Sequence, residues 1–260
     1  LSRDLGRDPS KGETIPWELE DYDFYKAMFN DIIRAREEEG VDFWWLDWQQ
    51  WLINKQIDGL GQTFWHNHVF FEDMRLNRPD RRPTIYHRWG GLGSHRYQIG
   101  FSGDTYATWP TLAYQPYFTA TASNVGYGYW GHDLGGHQQS GDNNPELYLR
   151  WMQYGVFSPI FRTHATNASN IERRIWKFSN FPQLRETVVL RYALFPYIYT
   201  SAREAYDTGV GICRPLYYQW PEASEAYRYE DEYLFGPDIL VAPVTSPIDN
   251  KGLAYRTTWL

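Results

Sequence analysis

Two hydrophobic periods alternate along the chain. From residue 23 to 39, Tyr25, Met28, Phe29, Ile32 and Ile33 recur at helical intervals with charges on the other face, which predicts an amphipathic helix ended by Gly40. Residues 41–46 then form a short apolar run, of the kind found in a strand buried on both sides. The pattern repeats. Residues 64–78 read as a helix with Phe64, His68, Phe71 and Arg75 on one face, broken by Arg82-Pro83. A strand over 84–87 ends at Arg88, and a loop with Gly90, Gly91 and Gly93 leads to a strand over 97–101. A helix over 109–122, kinked at Pro116, precedes a strand over 125–130 that ends at His132-Asp133. A helix over 145–155 turns Leu147, Trp151 and Tyr154 inward, and a strand over 156–161 ends at Arg162 and His164. The longest helical pattern runs over 184–207 and closes at Gly209.

Strands that alternate with helices predict an α/β chain with a parallel sheet and crossover helices. Polar side chains collect just past the strand ends: Asp47, Arg88, Asp104, Asp133, Arg162 and His164. That is the functional rim of a (β/α)8 TIM barrel. Five strands do not close such a barrel, so residues 1–212 are expected to hold about strands 4–8, with the others upstream of Leu1. From about Pro215 the character changes to short strands, over 216–218, 233–236 and 239–244, separated by turn residues. Residues 213–260 are therefore expected to begin a β-sandwich. An open barrel edge would leave the piece alone inactive or poorly folded.

The net charge of −7 and the absence of a basic stripe argue against nucleic acid as a partner. No run approaches the length of a membrane span. The single cysteine, Cys213, rules out an internal disulfide and a cysteine-based zinc site, and leans slightly towards a cytoplasmic setting. Aromatic residues make up 18%, with 13 Trp and 21 Tyr. Flat rings with polar tips suit sugars, and a tyrosine-rich core would account for the excess equally well.

Asp47 ends the first strand-like run among Trp44, Trp45 and Trp48, and Asp104 follows Phe101-Ser102-Gly103. A carboxylate at the end of a buried strand is costly unless it has a task. Two of them in an aromatic-rich chain suggest the acid-plus-nucleophile pair of a glycoside hydrolase, about 5 Å apart if the enzyme retains configuration. Arg88 beside Asp47 would favour its ionised form, and an apolar wall such as Phe101 would favour the protonated form of Asp104. Structural roles compete at each position: a helix cap at Asp47, an Asx turn at Asp104, a core ion pair at Arg88, a turn at Asp133 and a buried structural His164. His66-X-His68 has the spacing of a metal pair, but positions two apart on a helix diverge, so neither metal nor cofactor is expected.

The ordered motifs resemble glycoside hydrolase family 31, the α-glucosidase and α-xylosidase group. Trp45-Leu46-Asp47 is similar to its nucleophile motif, and Arg88 through Arg96 to Asp104 is similar to its acid/base segment. His132-Asp133-Leu134-Gly135-Gly136 resembles the turn after barrel strand seven. Arg150-Trp151, Gly155 to Pro159 and Phe161 to His164 resemble the strand-eight segment. The resemblance implies a retaining α-glycosidase acting on an oligosaccharide or glycoside. In it, Asp47 would be the nucleophile, Asp104 the acid/base and Arg88 a sugar ligand that steadies Asp47. His164 would donate to ring hydroxyls, Asp133 and Arg162 would brace the site, and Trp45, Trp48 and Phe101 would wall the sugar. The chain departs from the family at Trp48-Gln49-Gln50, where Met-Asn-Glu is common, at Phe101 in place of a tryptophan, and at His137, where glucosidases often carry an aromatic. These changes touch the pocket and leave glucose, galactose, xylose and N-acetylated sugars open. Two alternatives are a non-catalytic carbohydrate-binding remnant and a metal-dependent barrel hydrolase.

Overall fold

A computed structural model describes residues 1–48, 53–88, 91–138 and 143–260. Gln49, Gln50 and Gly90 lie outside the described residues. The chain divides into two compact units, residues 1–99 and 100–260.

The first unit opens with one helical run in three parts: α1 (Tyr22–Met28), a π-helical stretch (Phe29–Ile33) and α2 (Arg34–Glu38). The Asp21 carboxylate caps it by accepting from the Phe24 N–H at 2.8 Å. The apolar stripe expected over 23–39 is present, with Phe24, Phe29 and Ile33 buried. β1 (Trp44–Leu46) and β2 (Ile85–Arg88) flank α3 (Gln62–Asn77) and pair in parallel, with Leu46 opposite His87. This is the strand–helix–strand unit that the two hydrophobic periods predict. β2 is buried along its whole length, and it lies one residue further on than the expected 84–87, so that it includes Arg88.

The face of α3 differs from expectation. His68 and Arg75 are exposed, whereas His66, Asn67, Phe70, Asp73 and Met74 are buried. The reason is that polar residues with partners face inward. Arg34 donates to both Asp73 carboxylate oxygens at 2.5 and 2.6 Å, and Tyr25 donates to one of them at 2.9 Å. The Trp17 indole N–H donates to His66 Nε2 at 3.2 Å. A periodicity that counts only apolar residues misses such a face.

β3 (Ile99–Phe101) leads into the second unit, where β4 (Tyr129–Gly131) lies beside it. The Ser102 N–H donates to the Gly131 carbonyl at 3.1 Å. α4 (Trp109–Ala122) spans the expected residues, with Pro116 inside it. A 3-10 turn (Ser123–Val125) takes up the start of the strand expected over 125–130. α5 (Pro145–Val156), capped by Asn144, buries Leu147, Trp151 and Tyr154 as expected.

Two expectations fail here. Of the strand expected over 156–161, Val156 ends α5 and residues 157–160 form a turn and bends. Their carbonyls bond to a side chain instead of a neighbouring strand: Arg191 donates to the Val156, Ser158 and Pro159 carbonyls at 2.7, 2.6 and 2.8 Å. The long helix over 184–207 is two helices, α6 (Phe181–Ala193) and α7 (Phe195–Thr208), parted at Leu194. Pro196 lacks the N–H that would continue the ladder.

The chain ends in an antiparallel sheet of β5 (Cys213–Pro215), β6 (Tyr233–Phe235) and β7 (Ile239–Val241). Leu216–Tyr218, expected as a strand, is a 3-10 turn instead. Tyr233 and Phe235 pack with Trp151 and Tyr154 of α5 in one core. No helix among the described residues is long and apolar enough to cross a membrane.

Candidate active site

Asp47 follows the last residue of β1, and Arg88 is the last residue of β2. Because the strands are parallel with Leu46 opposite His87, the next residue on each strand is brought level with the other. Arg88 Nε donates to Asp47 Oδ1. The guanidinium is buried and lies 4.5 Å from the centre of the Trp48 ring, while the Asp47 side chain keeps 27% of its exposure. The core ion pair considered for Arg88 is thus a pair with Asp47 itself. Trp45 is exposed and stacks on Tyr86 at 6.4 Å. Asp47 opens into a cavity of ≈ 180 Å³ lined also by Trp17, Trp44, Trp45 and His66.

The other expected residues meet in the second unit, where main-chain hydrogen bonds tie three loops together. Ala107 N–H donates to the Gln138 carbonyl at 2.8 Å, and Gln138 N–H to the Thr105 carbonyl at 2.9 Å. Leu134 N–H donates to the Arg162 carbonyl at 3.1 Å, and Thr166 N–H to the His137 carbonyl at 3.0 Å. Asp104, Asp133, His137, Arg162 and His164 therefore come from loops of fixed mutual register.

Asp133 is fully buried, and Arg162 donates to its Oδ1 at 2.5 Å. Burial pushes the Asp133 carboxyl above the usual carboxylate range, against the pull of Arg162. The His137 Nδ1 lies 3.5 Å from Asp133 Oδ2 and 3.7 Å from Asp104 Oδ1. The His137 and His164 rings face each other with centres 5.1 Å apart. Phe101 is fully buried, and its ring centre lies 5.5 Å from the Arg162 guanidinium.

Gly135 and Gly136 explain the sharp turn after Asp133. Both have positive φ, 99° and 84°. A methyl at Gly136 would sit 2.6 Å from the Ala107 backbone. Beneath the turn, Arg173 donates to the Gly135 and Gly136 carbonyls at 2.8 and 2.6 Å. Sequence reasoning missed this arginine, which shows there only as half of the pair Arg173-Arg174.

Among the described residues, Asp133, His137 and His164 form the group able to hold a metal ion, with donor atoms within 4.8 Å of one another. His66 and His68 do not converge, since one is buried and the other exposed. A cavity of ≈ 570 Å³ elsewhere in the second unit is lined by Phe161, Thr163, Arg173 and Trp176 among others, and by none of the expected site side chains.

Residues 10–201 match the glycosyl hydrolases family 31 TIM-barrel domain, and residues 209–259 match the glycosyl hydrolase family 31 C-terminal domain. The chain belongs to glycoside hydrolase family 31. It is 30% identical over 187 residues to alpha-glucosidase 2 of Bacillus thermoamyloliquefaciens, covering 71% of this chain and 23% of that protein. It is 28% identical over 251 residues to the alpha-xylosidase of Saccharolobus solfataricus, covering 85% of this chain and 33% of that one. Among solved structures it is similar to a Flavobacterium johnsoniae family 31 dextranase complexed with glucose. That likeness has a TM-score of 0.75 at 29% identity, and covers 86% of this chain and 31% of the other. The family 31 chain thus spans a quarter to a third of these relatives. The expected α/β class, a partial TIM barrel followed by the start of a second, β-rich domain, is borne out.

Proposed function

We propose that the protein carrying this chain is a retaining α-glycosidase that removes terminal α-linked sugars by double displacement, with Asp47 as nucleophile and Asp104 as acid/base. The observation that carries this reading is the Arg88–Asp47 pair at two neighbouring parallel strand ends, in a chain of family 31. A buried guanidinium that donates to one carboxylate oxygen fixes the rotamer and leaves the other oxygen to attack. Asp104 gives its proton to the leaving oxygen as the Asp47 ester forms. It then takes a proton from the water that cleaves the ester. The chemistry needs the two carboxyls about 5 Å apart.

Substrate contacts are assigned to Trp45, Trp48, Arg88, His137, Arg162 and His164, with Asp133 and Phe101 holding Arg162. The relatives named alpha-glucosidase, alpha-xylosidase and dextranase support an α-linked sugar as substrate. The choice of sugar falls to the pocket positions where this chain departs from the family, His137 above all.

The test is a panel of aryl α-glycosides and α-linked disaccharides offered to the wild-type protein and two variants. Asp47→Asn should abolish hydrolysis of every substrate while sugar binding persists. Asp104→Asn should impair disaccharides far more than glycosides with good leaving groups, which need no proton. Hydrolysis surviving Asp47→Asn removes it as nucleophile. Wild-type binding without any turnover favours the carbohydrate-binding alternative.

A further inference from the structure

We propose that Asp133, His137 and His164 form a binding site for a divalent transition-metal ion of the zinc class. The donor set is two imidazole nitrogens and one carboxylate oxygen, which suits a borderline ion and not magnesium or calcium. None of the gaps between donor atoms exceeds 4.8 Å. The His137 Nδ1–Asp133 Oδ2 distance is 3.5 Å, too long for a good hydrogen bond. It matches the edge of about 3.4 Å of a tetrahedron with bonds of about 2.1 Å.

Two of the atoms face each other at 3.5 Å without a hydrogen bond. Asp133 Oδ2 and His137 Nδ1 are buried and have no hydrogen-bond partner among the described residues. A buried carboxylate oxygen without a donor costs free energy that a cation would recover. The other oxygen of Asp133 is held by Arg162 at 2.5 Å, the outer-shell arrangement that aims a ligating carboxylate. Asp104 Oδ1 lies 3.7 Å from the same His137 nitrogen, so a further carboxyl oxygen stands beside the site. The loops are already tied together, by Leu134 N–H to the Arg162 carbonyl and Thr166 N–H to the His137 carbonyl. Little ordering remains to be done when the ion binds.

The site shares His137 and His164 with the proposed sugar contacts, and its test is separate from theirs because the ion is measured without substrate. The purified protein, stripped with a chelator and desalted, is titrated with zinc chloride in a calorimeter. Cobalt(II) chloride serves as a visible probe of coordination by nitrogen. One zinc ion per chain is expected, with no heat from magnesium chloride. His137→Phe and His164→Ala, each checked for an unchanged circular dichroism spectrum and melting temperature, should each weaken zinc binding by more than the roughly 10–100-fold that losing an outer-shell partner costs. A wild-type protein that takes up no zinc overturns the proposal, as does either folded variant binding zinc as tightly as wild type. Glycoside hydrolysis that continues at full zinc occupancy would instead count against the sugar contacts assigned to His164 and His137.

Discussion

At the scale of single residues, the turn after β4 places Asp133 and His137 through two glycines. Gly136 at φ 84° leaves no room for a side chain, because Ala107 of the neighbouring loop lies 2.6 Å from where a Cβ would be. Gly136→Ala combines a left-handed backbone with an overpacked contact, and should destabilise the protein by about 2–4 kcal/mol. Denaturant unfolding measures this, and a variant within 0.5 kcal/mol of wild type (roughly the reach of a neutral surface change) would refute the close approach. This glycine pair was legible in the sequence as part of a motif, as were Asp47, Arg88 and Asp104, because each stands where an apolar run stops. Arg173 and Arg191 were not legible. A guanidinium that bonds main-chain carbonyls leaves no trace in periodicity, since the groups it satisfies belong to residues of any type.

At the scale of elements, the same effect decides which runs become strands. The apolar run over 156–161 has a strand's composition, yet Arg191 of α6 takes three of its carbonyls, and the single Ser158 Oγ–H is shared between the Gly155 and Ile160 carbonyls, 2.8 and 2.9 Å away. What persists of the expected sheet alignment is one parallel bridge, Leu134 to Thr163. Composition reports burial, and hydrogen-bond partners decide conformation. Arg191→Met keeps the apolar stem of the side chain and removes every donor. It strands three carbonyls, and a loss of about 3 kcal/mol or more is expected. Because the segment runs directly into Arg162 and His164, hydrolysis should fall together with the melting temperature. Full stability in Arg191→Met would mean that the carbonyls find other partners and that the clamp is dispensable.

At the scale of the whole molecule, each unit carries a histidine buried in its neutral form, and each contributes to how stability responds to acid. In the first unit, burial pulls His66 down to about 4 from the usual 6.5, and Trp17 uses its Nε2 as an acceptor. In the second, full burial pulls His132 down to about 3, with Thr119 and Tyr154 hydroxyls at 2.7 and 2.8 Å from its Nε2. Both folded-state values lie below the unfolded one. Above pH 6.5 neither histidine makes stability depend on pH. As the pH falls below 6.5 the unfolded chain takes up protons that the folded chain refuses, so stability drops until the folded value is reached. For His66 the loss between pH 6.5 and 4 amounts to about 3 kcal/mol. His66→Gln tests this, since an amide oxygen can still accept from Trp17 but never titrates. Melting temperatures measured from pH 7.5 to 4 should fall less steeply in the variant than in wild type, with the curves diverging only below pH 6.5. Parallel curves would mean that His66 is protonated in the folded protein without penalty, and that acid sensitivity arises elsewhere.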